Sequence, residues 1–331
     1  MKGKVMSHKT IARWTSALAA VALLSACSSS SKTPAPTAAS SASAPSAATS
    51  ASAPSSAGTS LNPLLGITPP QEIPSLAATV PASLKSKSDI IVGLDPTLPP
   101  KEFLAADGTT IQGVDVDLVY AVGDVLGLKM KLQSGAFATL IPGAQNGRYD
   151  LLNSSMSPTL ARQKVLDFVQ TDLSGEQLLM NTADVSKYTS IAALCGVAAG
   201  AVSGTNELAD LTTQSTKCTT AGSKAVNISA FPNANAVNSA LLSGRVAVAF
   251  FDTPVTSYQA KQSNGKLSGV GPIYRAGDEA MAMPKGTGFD NAVAAAMNSI
   301  IQSGVYKQIF VKWGLPSSSM LDHVVVNPPQ G

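Results

Sequence analysis

The sequence predicts an α/β protein of two lobes, each a mostly parallel sheet flanked by helices. Three observations carry this. From residue 90 onward, short apolar runs alternate with helix-period stretches, twice over, and such alternation builds parallel sheets. Roughly 240 residues take part, more than one core usually serves. The residues best suited to chemistry fall just after predicted strands, where open parallel sheets take their ligands.

Residues 61–88 are punctuated by proline and read as a lead-in, with one helix expected over 74–87. The body opens on a buried-looking strand, Ile90-Ile91-Val92-Gly93-Leu94, that runs into Asp95-Pro96-Thr97-Leu98-Pro99-Pro100. Asp107-Gly108 reads as a hairpin turn. A helix over 115–126 follows, with Asp115 and Asp117 in its first turn. Leu118, Ala121, Val122 and Val125 form its apolar face, and Gly127 closes it. A strand over 130–133 and a helix over 137–145 lead to the strand of Tyr149–Leu152.

That strand ends in Asn153-Ser154-Ser155-Met156-Ser157, a turn at Pro158 and a short helix carrying Arg162. Two hydroxyls and an arginine within a few residues of a strand end make a compact carboxylate site. Arginine presents a planar fork of donors that matches both carboxylate oxygens. An ordinary serine-rich turn with a surface arginine fits the same residues.

The second alternation starts near Leu178. A strand over 196–199 passes through the loop 200–204 to a helix from Thr205, then come a strand over 225–229 and a helix over 233–242. A strand over 246–251 reaches Asp252, and a helix begins after Pro254. Near 280–284 a last strand is expected, then helices over 288–302 and 305–313. Asp95, the serines, the loop before Thr205 and Asp252 thus all sit at predicted strand ends, which points to one shared cleft.

Upstream, Lys2, Lys4, Lys9 and Arg13 precede the apolar run from Ala17 to Leu24 and then Ser25-Ala26-Cys27. A basic start, a short apolar core and small residues describe a secretory signal over 1–27. The run is short for a membrane span. Leu24-Ser25-Ala26-Cys27 resembles a lipobox, which would make Cys27 a lipidation site; a plain signal peptide is the alternative. Residues 28–60 are almost wholly Ser, Ala, Thr and Pro, with Lys32 the one charge, and read as a disordered tether.

Four of the 23 basic residues and none of the 20 acidic ones precede Cys27, so the mature chain is nearly neutral. The precursor's basic balance therefore says nothing about nucleic acid, and no basic cluster with interleaved aromatics exists. Beyond Cys27 the chain has Cys195 and Cys218, an even pair in an exported protein, for which a disulfide is expected. Its two histidines, His8 and His323, lie outside the body. No metal-ligand spacing, nucleophile–base pair or phosphate loop argues for catalysis, a cofactor or a metal.

Ile91–Phe103, Gln112–Leu118, Leu140-Ile141-Pro142, Ser154–Arg162, Gly204-Thr205, Gly244-Arg245 and Phe251-Asp252 resemble, in order and spacing, the solute-binding protein family 3 of bacterial ABC importers. The resemblance runs from about residue 89 to 314. It implies the two-lobed type II periplasmic-binding-protein fold, with crossings near 176–182 and 274–280. Lobe 1 would then be 89–178 plus 278–331, and lobe 2 the insert 179–277. It implies a monomer that captures a free, polar amino acid, delivers it to an ABC permease, and is held on the outer face of the cell membrane through Cys27.

Residue by residue, the resemblance places Arg162 on the α-carboxylate, with backbone donors at Thr205 and Asn206. Asp252, the Ser155 carbonyl and the Ser157 hydroxyl would hold the α-ammonium. Phe137 would form the apolar wall, Asp95 would face the ligand side chain, and Leu98 and Met156 would complete the lining. The physics of a zwitterion agrees, since it needs one fixed charge of each sign in a desolvated place. Leu98 and Lys101 stand where the family has aromatic residues, so a stacking platform is missing and a cationic side chain is only weakly favoured. Other readings on the same fold are an exported enzyme of the cyclohexadienyl dehydratase type and a ligand-sensing partner of a membrane receptor.

Overall fold

A computed structural model describes residues 63–329, residue 65 apart. The expected signal segment, Cys27 and the tether over 28–60 lie outside the described residues. The lead-in holds two single-turn helices, α1 (Pro74–Ala77) and α2 (Ala82–Lys85), rather than one. Pro81 divides them: it has no N–H to donate and disfavours helical backbone at the residue before it.

The body then runs β1 (Ile90–Leu94), β2 (Thr97–Leu98), β3 (Glu102–Leu104), β4 (Ile111–Gln112), α3 (Val114–Leu126), β5 (Met130–Ser134), α4 (Phe137–Gln145), β6 (Leu151–Leu152) and α5 (Leu160–Gln163). After the long β7 (Leu166–Asn181) come β8 (Ala198–Val202), α6 (Asn206–Thr220), β9 (Asn227–Phe231), α7 (Ala234–Leu242), β10 (Val248–Asp252) and α8 (Thr253–Gln262). The long β11 (Leu267–Pro284), α9 (Phe289–Gln302) and α10 (Val305–Trp313) complete it.

Eight strands form one sheet in the order β5-β1-β6-β11-β7-β10-β8-β9. Its two wings, β5-β1-β6 and β10-β8-β9, are parallel. Between them β11 and β7 pair antiparallel along most of their length, so the same two strands serve both wings. The ladder between them shifts register between Val270 and Tyr274, between Tyr274 and Gly277, and between Glu279 and Ala280. Past the shifts β7 is already paired with β10, at Glu176–Met180.

These strands run for 16 and 18 residues, where the sequence predicts short ones near 178 and 280–284. Buried acids interrupt their apolar pattern, and a sequence reading takes such residues for loop. β8 and β9 begin two residues later than expected, because Gly196 turns the chain at φ +80°. Helix α3 ends as predicted, on Gly127 in the left-handed region at φ +65°. β3 and β4 form the predicted hairpin.

One apolar core lies under α3, α9 and α10, around Val92, Leu118, Phe289 and Phe310. A second runs between the wings around Phe137, Phe168, Leu241 and Phe251, and a third sits under α6 around Leu194, Leu211 and Phe250. Cys195 and Cys218 form the expected disulfide at that third core, with Cα atoms 5.5 Å apart. Among the described residues no helix is long and apolar enough to cross a membrane.

Candidate functional site

One cavity lies at the strand ends where the wings face each other. Its lining includes Asp95, Leu98, Phe137, Ser155, Ser157, Arg162, Thr205, Asn206 and Asp252. Nine of the ten residues singled out from the sequence are therefore brought together. Met156 is the exception. Its side chain is buried among apolar residues of the second core, and its carbonyl accepts the Ala280 N–H at 3.1 Å. The chain bends at Ser155, whose φ is +41°, and Met156 turns inward between two serines that line the cavity.

Each wall has a local cause. Asp95 directly follows β1 and is buried. Its Oδ1 accepts from the Thr97 hydroxyl at 2.9 Å and its Oδ2 from the Phe137 N–H at 3.2 Å. Desolvation raises its pKa, although those two bonds oppose the shift. Ser155 sits in the left-handed region at φ +41°, uncommon for a residue with a Cβ. Its N–H donates to Asp115 Oδ2 at 3.0 Å, while its hydroxyl is buried without a partner.

Arg162 lies over the Phe137 ring, 5.5 Å from its centroid. Its Nη1 donates to the Ser157 carbonyl at 2.9 Å and its Nη2 to the Gly204 carbonyl, on the other wing, at 3.1 Å. Desolvation lowers its pKa. The wings also meet where the Ala234 N–H donates to the Thr97 hydroxyl at 3.2 Å. Thr205 caps α6 by accepting the Leu208 N–H, so this 15-residue helix opens onto the cavity with its donors and positive dipole end. Asp252 ends β10 ahead of α8 without capping it through its side chain.

Sequence reasoning missed Glu176 and Glu207, which also line the cavity, with Val202, Phe250 and Phe251. Glu176 is buried, and its Oε2 has no partner. Desolvation, with Glu207 and Asp210 nearby, pushes it up to about 9. Desolvation also raises Glu207, and raises Asp252 well above the carboxylate range. The glutamates carried no motif; the position of Glu176 two residues before the apolar Leu178-Leu179-Met180 was the one available signal.

Lys101 corrects the sequence reading in the opposite sense. It stands where an aromatic residue was expected, yet it does not line the cavity. It is fully buried, in ion pairs with Asp172 at 2.8 Å, Glu279 at 3.0 Å and Asp115 at 3.1 Å.

Residues 90–316 match the model of the bacterial extracellular solute-binding proteins, family 3. The chain is 30% identical over 260 residues to the arginine-binding protein ArgT of Corynebacterium glutamicum, a match that spans 78% of this chain and 84% of that protein. Among solved structures it resembles an ancestral arginine-binding protein bound to arginine, at 26% identity and a TM-score of 0.63, covering 69% of this chain and 98% of that one. It also resembles the ancestral amino acid-binding protein AncCDT-1, a precursor of cyclohexadienyl dehydratase, at 25% identity and a TM-score of 0.63, covering 70% and 97%.

Proposed function

The chain belongs to the bacterial extracellular solute-binding proteins, family 3, and from that premise we propose that it captures a free amino acid with a cationic side chain, of the arginine type. One observation carries the reading: four carboxylates, Asp95, Glu176, Glu207 and Asp252, line one cavity with a single arginine. Arg162 donates to two carbonyls and is in none of the ion pairs found among the described residues. A neutral zwitterion would add one charge of each sign and leave the surplus buried carboxyls protonated and without a cation. A zwitterion with a cationic side chain brings the extra positive charge that the lining lacks. This sharpens the sequence expectation of a polar ligand, which lacked Glu176 and Glu207.

In this reading Arg162 and the opening of α6 at Thr205 and Asn206 take the α-carboxylate. Asp252, with Ser155 and Ser157, takes the α-ammonium. Asp95 and Glu176 meet the side chain, and charge pairing replaces the missing aromatic platform. The wings act as two lobes, 89–178 plus 278–331 and 179–277. A ligand touching Arg162 on one and Asp252 on the other shifts the population towards the closed form. The cargo goes to an ABC permease, from a monomer held on the outer membrane face by a lipid on Cys27.

Calorimetry with arginine, lysine, glutamine and leucine tests the ligand class. Arginine or lysine is expected to bind at least about tenfold tighter than either neutral amino acid, and N-acetyl and α-amide derivatives are expected to fail. Equal affinity for glutamine overturns the cationic assignment.

An exported dehydratase is the second reading, and Glu176 is what favours it: a buried acid that keeps its proton at neutral pH has the property a general acid needs. Incubation of the protein with a hydroxyl-bearing cyclohexadiene carboxylate, followed by mass spectrometry, is expected to return it unchanged. Loss of water from it would establish the enzyme.

A further inference from the structure

Where β7 and β11 pass between the wings, Asp172 and Glu279 stand directly opposite each other in register. Like charges in that position repel, the more so when both are buried. The Lys101 ammonium lies between them and also reaches Asp115 at the start of α3. It therefore ties the start of α3 to both β7 and β11, at the place where the β7–β11 ladder slips. Its own backbone is pinned as tightly. The Lys101 carbonyl accepts the Asp115 N–H at 3.0 Å, and a Cβ on Gly113 would lie 2.0 Å from that carbonyl.

From this cluster two short routes lead to the cavity. The free side of Asp115, Oδ2, accepts the Ser155 N–H. Next to Lys101, Glu102 accepts from the Ser154 hydroxyl at 2.9 Å, and that hydroxyl accepts the Asp95 N–H at 3.0 Å. Asp95 and Ser155 thus hang from the charge cluster behind them.

We propose that Lys101 is a positioning residue for ligand binding, locking Asp95 and Ser155 to the crossing of β7 and β11 and so setting affinity without touching the ligand. The affinity half of this rests on the amino-acid-binding reading; the positioning half does not.

Two variants test it. Lys101→Met removes the cation. Asp172→Asn keeps an oxygen towards the ammonium, and carries the test if Lys101→Met does not fold. Hydrogen exchange by mass spectrometry on the ligand-free proteins is expected to show the amides of Asp95 and Ser155 exchanging at least about tenfold faster than in the parent. Amides of β8 and β9 are expected to keep their parent rates. Calorimetry is expected to show arginine affinity reduced at least about tenfold in Lys101→Met and about threefold in Asp172→Asn, at unchanged stoichiometry. A folded variant with unchanged exchange at Asp95 and Ser155 overturns the proposal, whatever its affinity. If those amides loosen but arginine still binds within twofold, the positioning is structural alone and the inference fails. A parent that binds no amino acid refutes the ligand reading, and the exchange pattern still judges the clamp.

Discussion

The Lys101 cluster and the cavity use the same ingredients to opposite ends. In the cluster an ammonium is surrounded by Asp115, Asp172 and Glu279 at 2.8–3.1 Å, all buried. Burial alone would push the Lys101 ammonium down; the three carboxylates reverse this and hold it well above its ordinary range. In the cavity the guanidinium of Arg162 donates to carbonyls, and of the four carboxylates around it only Glu176 has an ion pair among the described residues, a long one with Arg275 at 3.8 Å. Buried acids with an internal cation fasten a fold, and buried acids without one select a ligand that brings it.

The sharpest break of that contrast is at the two ends of the zwitterion clamp. Arg162→Ala and Asp252→Ala each remove the partner of a desolvated ligand charge. Each is expected to cost about 3–5 kcal/mol of binding, with little change in melting temperature. Calorimetry with arginine checks this; Arg162→Ala within threefold of the parent would place the carboxylate elsewhere.

The disulfide separates stability from binding. Cys195→Ser with Cys218→Ser opens a loop with a sequence separation of 23, under α6 and away from both charge groups. It is expected to cost about 3 kcal/mol of unfolding free energy in the chain-entropy model. Arginine affinity measured well below the transition should be unchanged. A large loss of affinity would couple the third core to the cavity.

The smallest effects lie in the side-chain pocket. Asp95→Asn is expected to weaken cationic ligands by about 1–3 kcal/mol and neutral ones by less. Equal losses would make Asp95 structural. Glu176 adds a pH dependence, because its folded pKa is about 9, raised above the ordinary carboxylate value. A raised folded pKa favours the protonated folded state, so the ligand-free protein loses this contribution to stability as pH climbs towards 9. A cationic ligand prefers the ionised carboxylate, so arginine affinity should tighten over the same climb. From pH 6 to 8.5 a gain of at least about tenfold is expected, and Glu176→Gln should flatten it. Calorimetry at three pH values reads both curves.

Local chemistry made much of this molecule legible from sequence. The helices over 137–145 and 305–313 lie where periodicity and punctuation place them, because their signals sit within a few residues of one another. The strand ends at Asp95, Ser155–Ser157, Thr205 and Asp252 were legible for the same reason, and the parallel wings then carry them to one cavity. The inward turn of Met156 was not legible, since the bend at Ser155 and what packs behind it decide which side chains face the cavity. Glu176 was hidden for a related reason: its partners Glu207 and Arg275 come from distant segments.

The sequence by itself determined the alternation of elements, the cysteine pair and the residue types able to grip a zwitterion, all of which follow from neighbours along the chain. Tertiary structure alone decided the long shared strands β7 and β11, the inward turn of Met156 and the burial of Lys101. In sequence Lys101 is only a replacement for an aromatic residue, until Asp172, 71 positions away, and Glu279 close around its ammonium. A charge can be buried only where opposite charges converge, and that convergence exists in the folded chain and nowhere along its length.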